Sequence, residues 1–336
     1  MRFENKKVLV IGGAGFIGSS LSEKLVGEGA FVTILDDFFT GNIRNISHLS
    51  TKIRIVKGSI LDYNLVEELL KNSSIVFNLA CRNIILSTKE PRADFDVNVG
   101  GMINVLIAAK GWGLERVVFA SSASVYGNAK HLPISEDDQV NILNPYAASK
   151  IAAESYCMAF YETYEVPITI LRYSNVYGVH QSPDNPYCGV VSKFFESAMN
   201  NKSMQIHGDG YQTRDFTYVD DVVEATLLAA LSPKAVGEVF NVGTGRETSV
   251  RELASAIAVV VGKGNFTNID RRDIDNIRRR VLNIEKIRKY LKWTPMIALC
   301  SGLEKTYNWM AGVDILGHKP RFSLDETMRT EGEQNI

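Results

Sequence analysis

Tyr146 and Lys150 stand four residues apart in Asn144-Pro145-Tyr146-Ala147-Ala148-Ser149-Lys150, a segment that reads as the opening of a helix. That spacing puts both side chains on one helical face. On its own, Tyr-x-x-x-Lys is common on helix surfaces and carries no meaning. Here it follows Phe119-Ala120-Ser121-Ser122-Ala123-Ser124-Val125-Tyr126-Gly127, a hydroxyl-rich run at the end of an apolar strand. A phenol ionises near pH 10, about three units too high for a base at neutral pH. An ammonium and a second positive group beside it favour the phenolate. A phenolate so placed takes the proton of an alcohol, and Ser122 would hold that alcohol by a hydrogen bond.

The second positive group is suggested by Val10-Ile11-Gly12-Gly13-Ala14-Gly15-Phe16-Ile17-Gly18, which joins the first strand to the first helix. Gly12, Gly15 and Gly18 recur at three-residue intervals. They suit a tight turn, a close approach to a pyrophosphate, and packing of the helix on a sheet. The free N–H groups of the helix start then face the phosphates. Asp36 closes the second strand eighteen residues after Gly18, with Asp37 beside it. A carboxylate there accepts hydrogen bonds from the adenosine ribose and repels a 2′-phosphate, which selects NAD over NADP. The oxidised pyridinium of NAD is the second cation. Tyr146 would take a proton from a sugar hydroxyl as hydride leaves the same carbon for NAD, while Lys150 would also hold the nicotinamide ribose.

The elements that must position these residues alternate strand with helix. Strands are predicted at Val8–Ile11, Phe31–Leu35, Ile53–Val56, Ile75–Leu79, Val117–Ala120 and Ile168–Leu171. Helical spacing of apolar residues fills Ser19–Glu28, Leu65–Leu70 and Val97–Lys110. Such alternation implies right-handed crossovers and a parallel sheet covered on both faces. The predicted class is α/β: a doubly wound parallel-sheet domain over residues 1–177, with a smaller C-terminal lobe over 178–316. Asp215–Ala230 and Val239–Val242 are expected to return to the large domain, so the lobe is discontinuous. The segment from His180 to Cys188 reads as a loop, and residues 317–336 as a polar tail. Apolar residues make up 45% of 336, enough for a large core without disulfides. Lys+Arg number 37 against 38 Asp+Glu, a balance with no footprint for nucleic acid or an anionic membrane. No apolar run approaches a membrane span, and the short polar start is unlike a signal peptide. Four scattered cysteines (Cys81, Cys157, Cys188, Cys300) read as reduced, buried thiols of a cytoplasmic protein, and no metal site is expected.

With these motifs in place, the chain resembles the extended short-chain dehydrogenase/reductase family, and within it the nucleotide-sugar epimerases and dehydratases. The resemblance runs from about Lys7 to Trp309. It is carried by the glycine turn, Asn78-Leu79-Ala80, Val97-Asn98-Val99, Ser122, Tyr146-x-x-x-Lys150, Arg172-Tyr173-Ser174-Asn175-Val176-Tyr177-Gly178, Gly208-Asp209-Gly210 through Arg214-Asp215, and Asn241-Val242-Gly243-Thr244-Gly245. It implies a Rossmann domain with tightly bound NAD and a small substrate lobe. It places Phe16, Ile17, Asp37, Thr40, Leu79, Ala80, Asn98 and Tyr173 along the cofactor, with Ser59 and Ile60 flanking the adenine. It gives the substrate Ser122, Ser124, Asn175, Val190, Val191, His207 and Arg214, the arginine fork suiting a diphosphate. Arg272-Asp273-Ile274-Asp275 resembles an Arg-x-x-Asp pair for phosphate and nucleotide ribose, so Arg272 and Asp275 join the substrate set. A homodimer is implied, through helices near 98–110 and 146–164 packing as a four-helix bundle.

The resemblance also bears on the reaction. Dehydratases carry an Asp-Glu or Ser-Glu pair directly after the catalytic serine, and UDP-glucuronate decarboxylases carry a Glu there. This chain has Ala123-Ser124, which lacks a general acid–base pair for dehydration. What remains suits oxidation and re-reduction at one carbon. The expectation is therefore an NAD-dependent epimerase inverting C4 of a UDP-hexose (UDP-glucose, UDP-N-acetylglucosamine or UDP-glucuronate type) through a transient 4-keto sugar. The alternative is a UDP-glucuronate decarboxylase, 4,6-dehydratase or 4-reductase. A non-enzymatic dinucleotide sensor is disfavoured because Tyr146 and Lys150 are both present. The position that gates the C2 substituent falls at Arg279 or Arg280. An inward arginine would read a uronate carboxylate; an outward side chain is the expectation. Asn83-Ile84-Ile85-Leu86-Ser87 departs from the usual active-site loop, which leaves the sugar open.

Overall fold

The computed structural model describes residues 1–185, 188–271 and 276–312. In chain order the first half runs β1 (Lys7–Ile11), α1 (Phe16–Gly27), β2 (Phe31–Asp36), β3 (Ile53–Lys57), α2 (Tyr63–Lys71), β4 (Ile75–Asn78), α3 (Ile84–Lys89), α4 (Pro91–Phe95), α5 (Gly101–Trp112) and β5 (Arg116–Ser122). Then follow α6 (Pro145–Tyr164), β6 (Ile168–Tyr173), β7 (Asn175–Tyr177), α7 (Val190–Met199), β8 (Met204–His207), β9 (Thr213–Arg214), β10 (Phe216–Tyr218) and α8 (Val219–Leu231). β11 (Glu238–Val242), β12 (Thr248–Ser249), α9 (Val250–Val261), β13 (Phe266–Ile269), α10 (Glu285–Leu291) and α11 (Leu299–Met310) complete the described chain.

Seven parallel strands form one sheet in the order β11-β6-β5-β4-β1-β2-β3. Alternate residues of each strand face opposite layers. Val8, Val10 and Ile34 pack toward Leu21 and Leu25 of α1, in the core that also takes in α8. Leu9, Ile11 and Leu35 pack on the other face, toward Val66 and Leu70 of α2 and Met102 and Leu106 of α5. Burial on both faces explains why the central strands are continuous apolar runs. Phe77, fully buried in β4, illustrates the energetics: truncation to alanine costs about 3–5 kcal/mol. Successive strands run outward in opposite directions from β1 and β4, and a crevice forms at such a switch point beyond the carboxyl ends of the strands.

β11 occupies the sheet edge beside β6, and α8 lies against α1, β5 and β6. Beyond β6 the pieces are short. β7 pairs with β10, β8 with β13 and β9 with β12, while α7, α9 and α11 pack together. α1 begins at Phe16, three residues before the predicted start, because Gly15 serves as its N-cap. The predicted helix over Val97–Lys110 is interrupted: Asp96–Gly100 form a π turn leading into α5. Asn144 caps α6, its side chain accepting from the Ala147 N–H at 2.9 Å, and Pro145 occupies the first helical position. This cap sets Tyr146 in the first turn of the helix.

The cysteine reading needs correction. All four are free, but only Cys157 is buried; Cys81 and Cys188 are partly exposed in loops at the cleft, and Cys300 is exposed in the first turn of α11. Among the described residues no helix is long and apolar enough to cross a membrane. The expected polar tail over 317–336 lies outside the described residues.

Candidate active site

Two hollows adjoin at the carboxyl ends of the strands. The first, about 640 Å³, is lined by Gly12, Gly15, Phe16, Ile17, Gly18, Asp36, Asp37, Thr40, Ile60, Leu79, Ala80, Tyr146, Lys150 and Tyr173. The second, about 1410 Å³, is lined by Asn175, Val190, His207 and Arg214, among others. Cys188 borders both.

The glycine turn forms the floor of the first hollow. Gly12 has φ +79°, a left-handed conformation, and a Cβ there would stand 2.8 Å from the Ala80 nitrogen. A Cβ on Gly18 would stand 2.1 Å from the Gly12 carbonyl oxygen. Side chains are thus excluded where the turn, the first helix and the β4 loop converge. No side chain caps α1, so its leading N–H groups are left to the hollow. Asp36 is buried at the end of β2, where Oδ2 accepts from the Ala14 N–H at 2.8 Å and Oδ1 from the Phe38 N–H at 2.8 Å. Burial pushes its carboxyl up, against the pull of those two N–H groups. Each oxygen keeps a further lone pair. A cradle of bare backbone at a helix start, with a buried carboxylate at the next strand end, fits a dinucleotide.

At the other end of this hollow, Tyr146 stands beside Ser122, whose hydroxyl draws the buried phenol down. Lys150 is 2% exposed; its Nζ donates to the Ala120 carbonyl at 2.8 Å and lies 5.8 Å from the centre of the Tyr146 ring. The expectation that the ammonium lowers the phenol is corrected for the protein alone. Burial is the largest influence and pushes Tyr146 above its ordinary value; Cys81 adds to this, Ser122 opposes it, and Asp94 raises it slightly. Desolvation penalises the phenolate, so a cation in the hollow itself is needed to offset it.

Several expected contacts sit differently. Ser59 and Asn98 do not line the hollow. Ser59 Oγ accepts from the Leu61 N–H at 3.2 Å. Asn98 is buried behind the wall, its Nδ2 donating to Asp94 at 2.7 Å and to Ser149 Oγ at 3.0 Å, and its Oδ1 accepting from the Arg82 N–H at 2.7 Å. The π turn places it there to hold the Arg82 loop. Ser122 and Ser124 line neither hollow; Ser122 Oγ caps the turn by accepting from the Ser124 N–H at 3.1 Å. Val191 points into the core of the lobe. Arg214 Nη1 donates at 2.8 Å to the carbonyls of both Thr213 and Ile277, which orients its fork. His207 Nδ1 is 2.9 Å from the Asp270 carbonyl oxygen. Arg279 is exposed and paired with Glu247 at 2.5 Å, outward as expected, whereas Arg280 is buried and lines neither hollow. Arg272 and Asp275 lie outside the described residues.

Other residues line the hollows without having been singled out. Cys81, Arg82, His180, Gln181, Asp184 and Asn185 border the first, and Lys193, Arg271 and Arg278 the second. Arg82 pairs with Asp37 at 2.8 Å and lies 4.1 Å over the Phe39 ring. Lys193 stands on α7, and most of the others sit in loops, which was their only signal. Among the described residues no cluster of His, Cys, Asp or Glu is gathered that could hold a metal.

The model of the NAD-dependent epimerase/dehydratase family matches residues 8–243. The chain belongs to that family. It is an enzyme family that depends on NAD, whose members act on nucleotide sugars. The chain is 39% identical over 305 residues to a UDP-glucose 4-epimerase of Mycolicibacterium smegmatis, covering 89% of this chain and 97% of that protein. It is 35% identical over 322 residues to a UDP-N-acetyl-alpha-D-glucosaminuronate decarboxylase of Bacillus cytotoxicus, covering 92% and 99%. Its fold matches the crystal structure of a UDP-glucuronic acid 4-epimerase from Bacillus cereus in complex with UDP-glucuronic acid and NAD. The TM-score is 0.85 at 30% identity, over 90% of this chain and 98% of that one.

Proposed function

We propose that this epimerase/dehydratase family member inverts C4 of a UDP-hexose, of the glucose, N-acetylglucosamine or glucuronate type, through a transient 4-keto sugar. The observation that carries the reading is Tyr146 lining the first hollow beside buried Lys150, with Ala123 after Ser122 where an acid would serve dehydration. The glycine turn and Asp36 would hold NAD in the first hollow, where it would supply reversible hydride-acceptor chemistry at one carbon. Tyr146 Oη accepts the proton of the 4-hydroxyl and gives it back. Ser122 Oγ orients that hydroxyl, and Lys150, fixed by Ala120, adds positive charge behind the phenol. Asn175 and Arg214 in the second hollow hold the diphosphate while the sugar ring turns. Asp36 takes the adenosine ribose.

Likeness to the decarboxylase supports a second reading, a nucleotide-uronate decarboxylase. Incubating the NAD-loaded protein with UDP-glucose, UDP-N-acetylglucosamine and UDP-glucuronate separates them. Inversion conserves mass and changes the anomeric proton signals, whereas loss of carbon dioxide or water lowers the mass. A product of lower mass, with no inverted sugar, overturns the first reading.

The protein is further proposed to work in the cytoplasm as a homodimer. Phe95, Ile107, Trp112, Tyr156 and Tyr164 leave large apolar surface exposed on α4, α5 and α6, which a second copy would cover. Sedimentation tests this: a monomer at micromolar concentration contradicts it.

A further inference from the structure

Tyr146, Lys150 and Glu154 recur every four residues along α6 and form one stripe facing β5. Each meets a different residue of the strand end. Tyr146 faces Ser122, Lys150 Nζ donates to the Ala120 carbonyl at 2.8 Å, and Glu154 Oε1 accepts from Ser121 Oγ. Two successive turns of the helix are thus tied by hydrogen bonds to two successive residues of one strand, with Tyr146 one turn before them. Glu154 is 3% exposed and Arg172 6%. Arg172 grips the same carboxylate side-on with one edge of its guanidinium, Nε to Oε1 at 3.0 Å and Nη2 to Oε2 at 2.6 Å. Arg172 Nη1 also donates to Tyr126 Oη at 2.9 Å and to the Glu136 carbonyl at 3.1 Å. Tyr126 Oη in turn donates to Asn241 Oδ1 at 2.7 Å. The Glu154 tie is therefore locked to β6, to the turn after β5, and to β11.

We propose that Glu154, held by Arg172, is a positioning residue: it fixes the register of α6 against β5 and so sets Tyr146 and Lys150 relative to Ser122. This rests on the reading of Tyr146 as the proton acceptor. A buried ion pair is a poor device for stability alone, because desolvating both charges offsets much of their attraction. An apolar pair would fill the space as well. What the charges add is directional bonding that leaves the helix one seat on the strand. Neither Glu154 nor Arg172 lines either hollow, whereas Ser121 lines the first, so the pair acts through Ser121 and the helix and not directly on a ligand.

Ser121→Ala removes the strand side of this tie and leaves the ion pair intact; Glu154→Gln keeps the volume and one acceptor and removes the charge. Both are assayed as NAD-loaded protein for kcat and KM with a UDP-hexose. The Tyr146 phenol is titrated by ultraviolet difference against a Tyr146→Phe reference. The expected result is a kcat lower by about tenfold, KM within about twofold, and the phenol titrating at higher pH, since small misplacements of reacting groups cost turnover. Folded, NAD-retaining variants with wild-type kcat and phenol titration overturn the proposal. Should Glu154→Gln fail to fold, Arg172→Lys, which keeps the charge, loses the paired grip on Glu154 and lies outside both hollows, decides by the same two readouts. If the wild type converts no UDP-hexose, the functional reading fails, while the phenol titration still tests the positioning.

Discussion

Lys150 ends its reach at the backbone of Ala120: the ammonium donates at 2.8 Å to a carbonyl two residues before Ser122. The amine is thereby aligned along the strand end, beside the Tyr146 ring and inside the first hollow. One buried cation serves both the fold and the site.

Replacing Lys150 with methionine keeps much of the stem and removes the charge and the bond to Ala120. We expect turnover to fall by about 10²–10³-fold and NAD to be retained less firmly, because a general base and a ribose contact are both weakened. Steady-state kinetics together with the NAD content of the purified protein check this. Unchanged turnover would show that the amine is structural only.

Gly18→Ala places a methyl where only 2.1 Å separates it from the Gly12 carbonyl oxygen. The contact is backbone, so the turn must shift. A stability loss of about 1–3 kcal/mol is expected, with loss of bound NAD. Denaturant unfolding and cofactor content of the variant read the two effects.

Arg214→Lys keeps a positive charge and loses the fork oriented by Thr213 and Ile277. If Arg214 holds the diphosphate, KM rises about tenfold or more with kcat nearly unchanged, since the contact serves ground and transition state alike. A fall in kcat at constant KM would move Arg214 to the reacting centre.

Asp94 is 1% exposed, and burial raises its carboxyl to about 6, against the downward pull of the Ser149 hydroxyl and the charge of Lys150. The folded protein therefore favours the neutral acid. That contribution to stability is fully present below the unfolded value near 4 and is lost as pH rises through about 6. Asp94→Asn, neutral at every pH, should remove the dependence. Relative to the variant, the wild type should lose about 1 kcal/mol between pH 4.5 and 7.5, a figure discounted for solvent screening. Denaturant unfolding at the two pH values checks it; a constant difference between the proteins contradicts it.

Much of this arrangement was legible in the sequence, for identifiable reasons. Strands buried on both faces announce themselves as apolar runs, so β1 to β6 were predicted within one or two residues of their ends. Asn144 and Pro145 marked the start of α6 and thus the place of Tyr146. The two- and three-residue strands β7, β9, β10 and β12 carry no period long enough to read. The π turn at Asp96–Gly100 keeps helical composition, so nothing signalled that Asn98 would face Asp94 and Ser149 and not the hollow. Residues such as Arg82 and His180 reach the hollow from loops, whose course is set by tertiary packing. Burial of the Tyr146 phenol depends on the whole fold, and for that reason its upward shift in the protein without the pyridinium was not readable from the sequence.

The central claim is that the Tyr146 oxygen carries the proton at the reacting carbon. Tyr146→Phe removes that single atom, and the exchange between C4 epimers of the UDP-hexose converted by the wild type can be followed by NMR of the anomeric proton. The account predicts that NAD stays bound and exchange falls by at least about 10²-fold. Exchange within a few-fold of the wild type, with NAD in place, would contradict it.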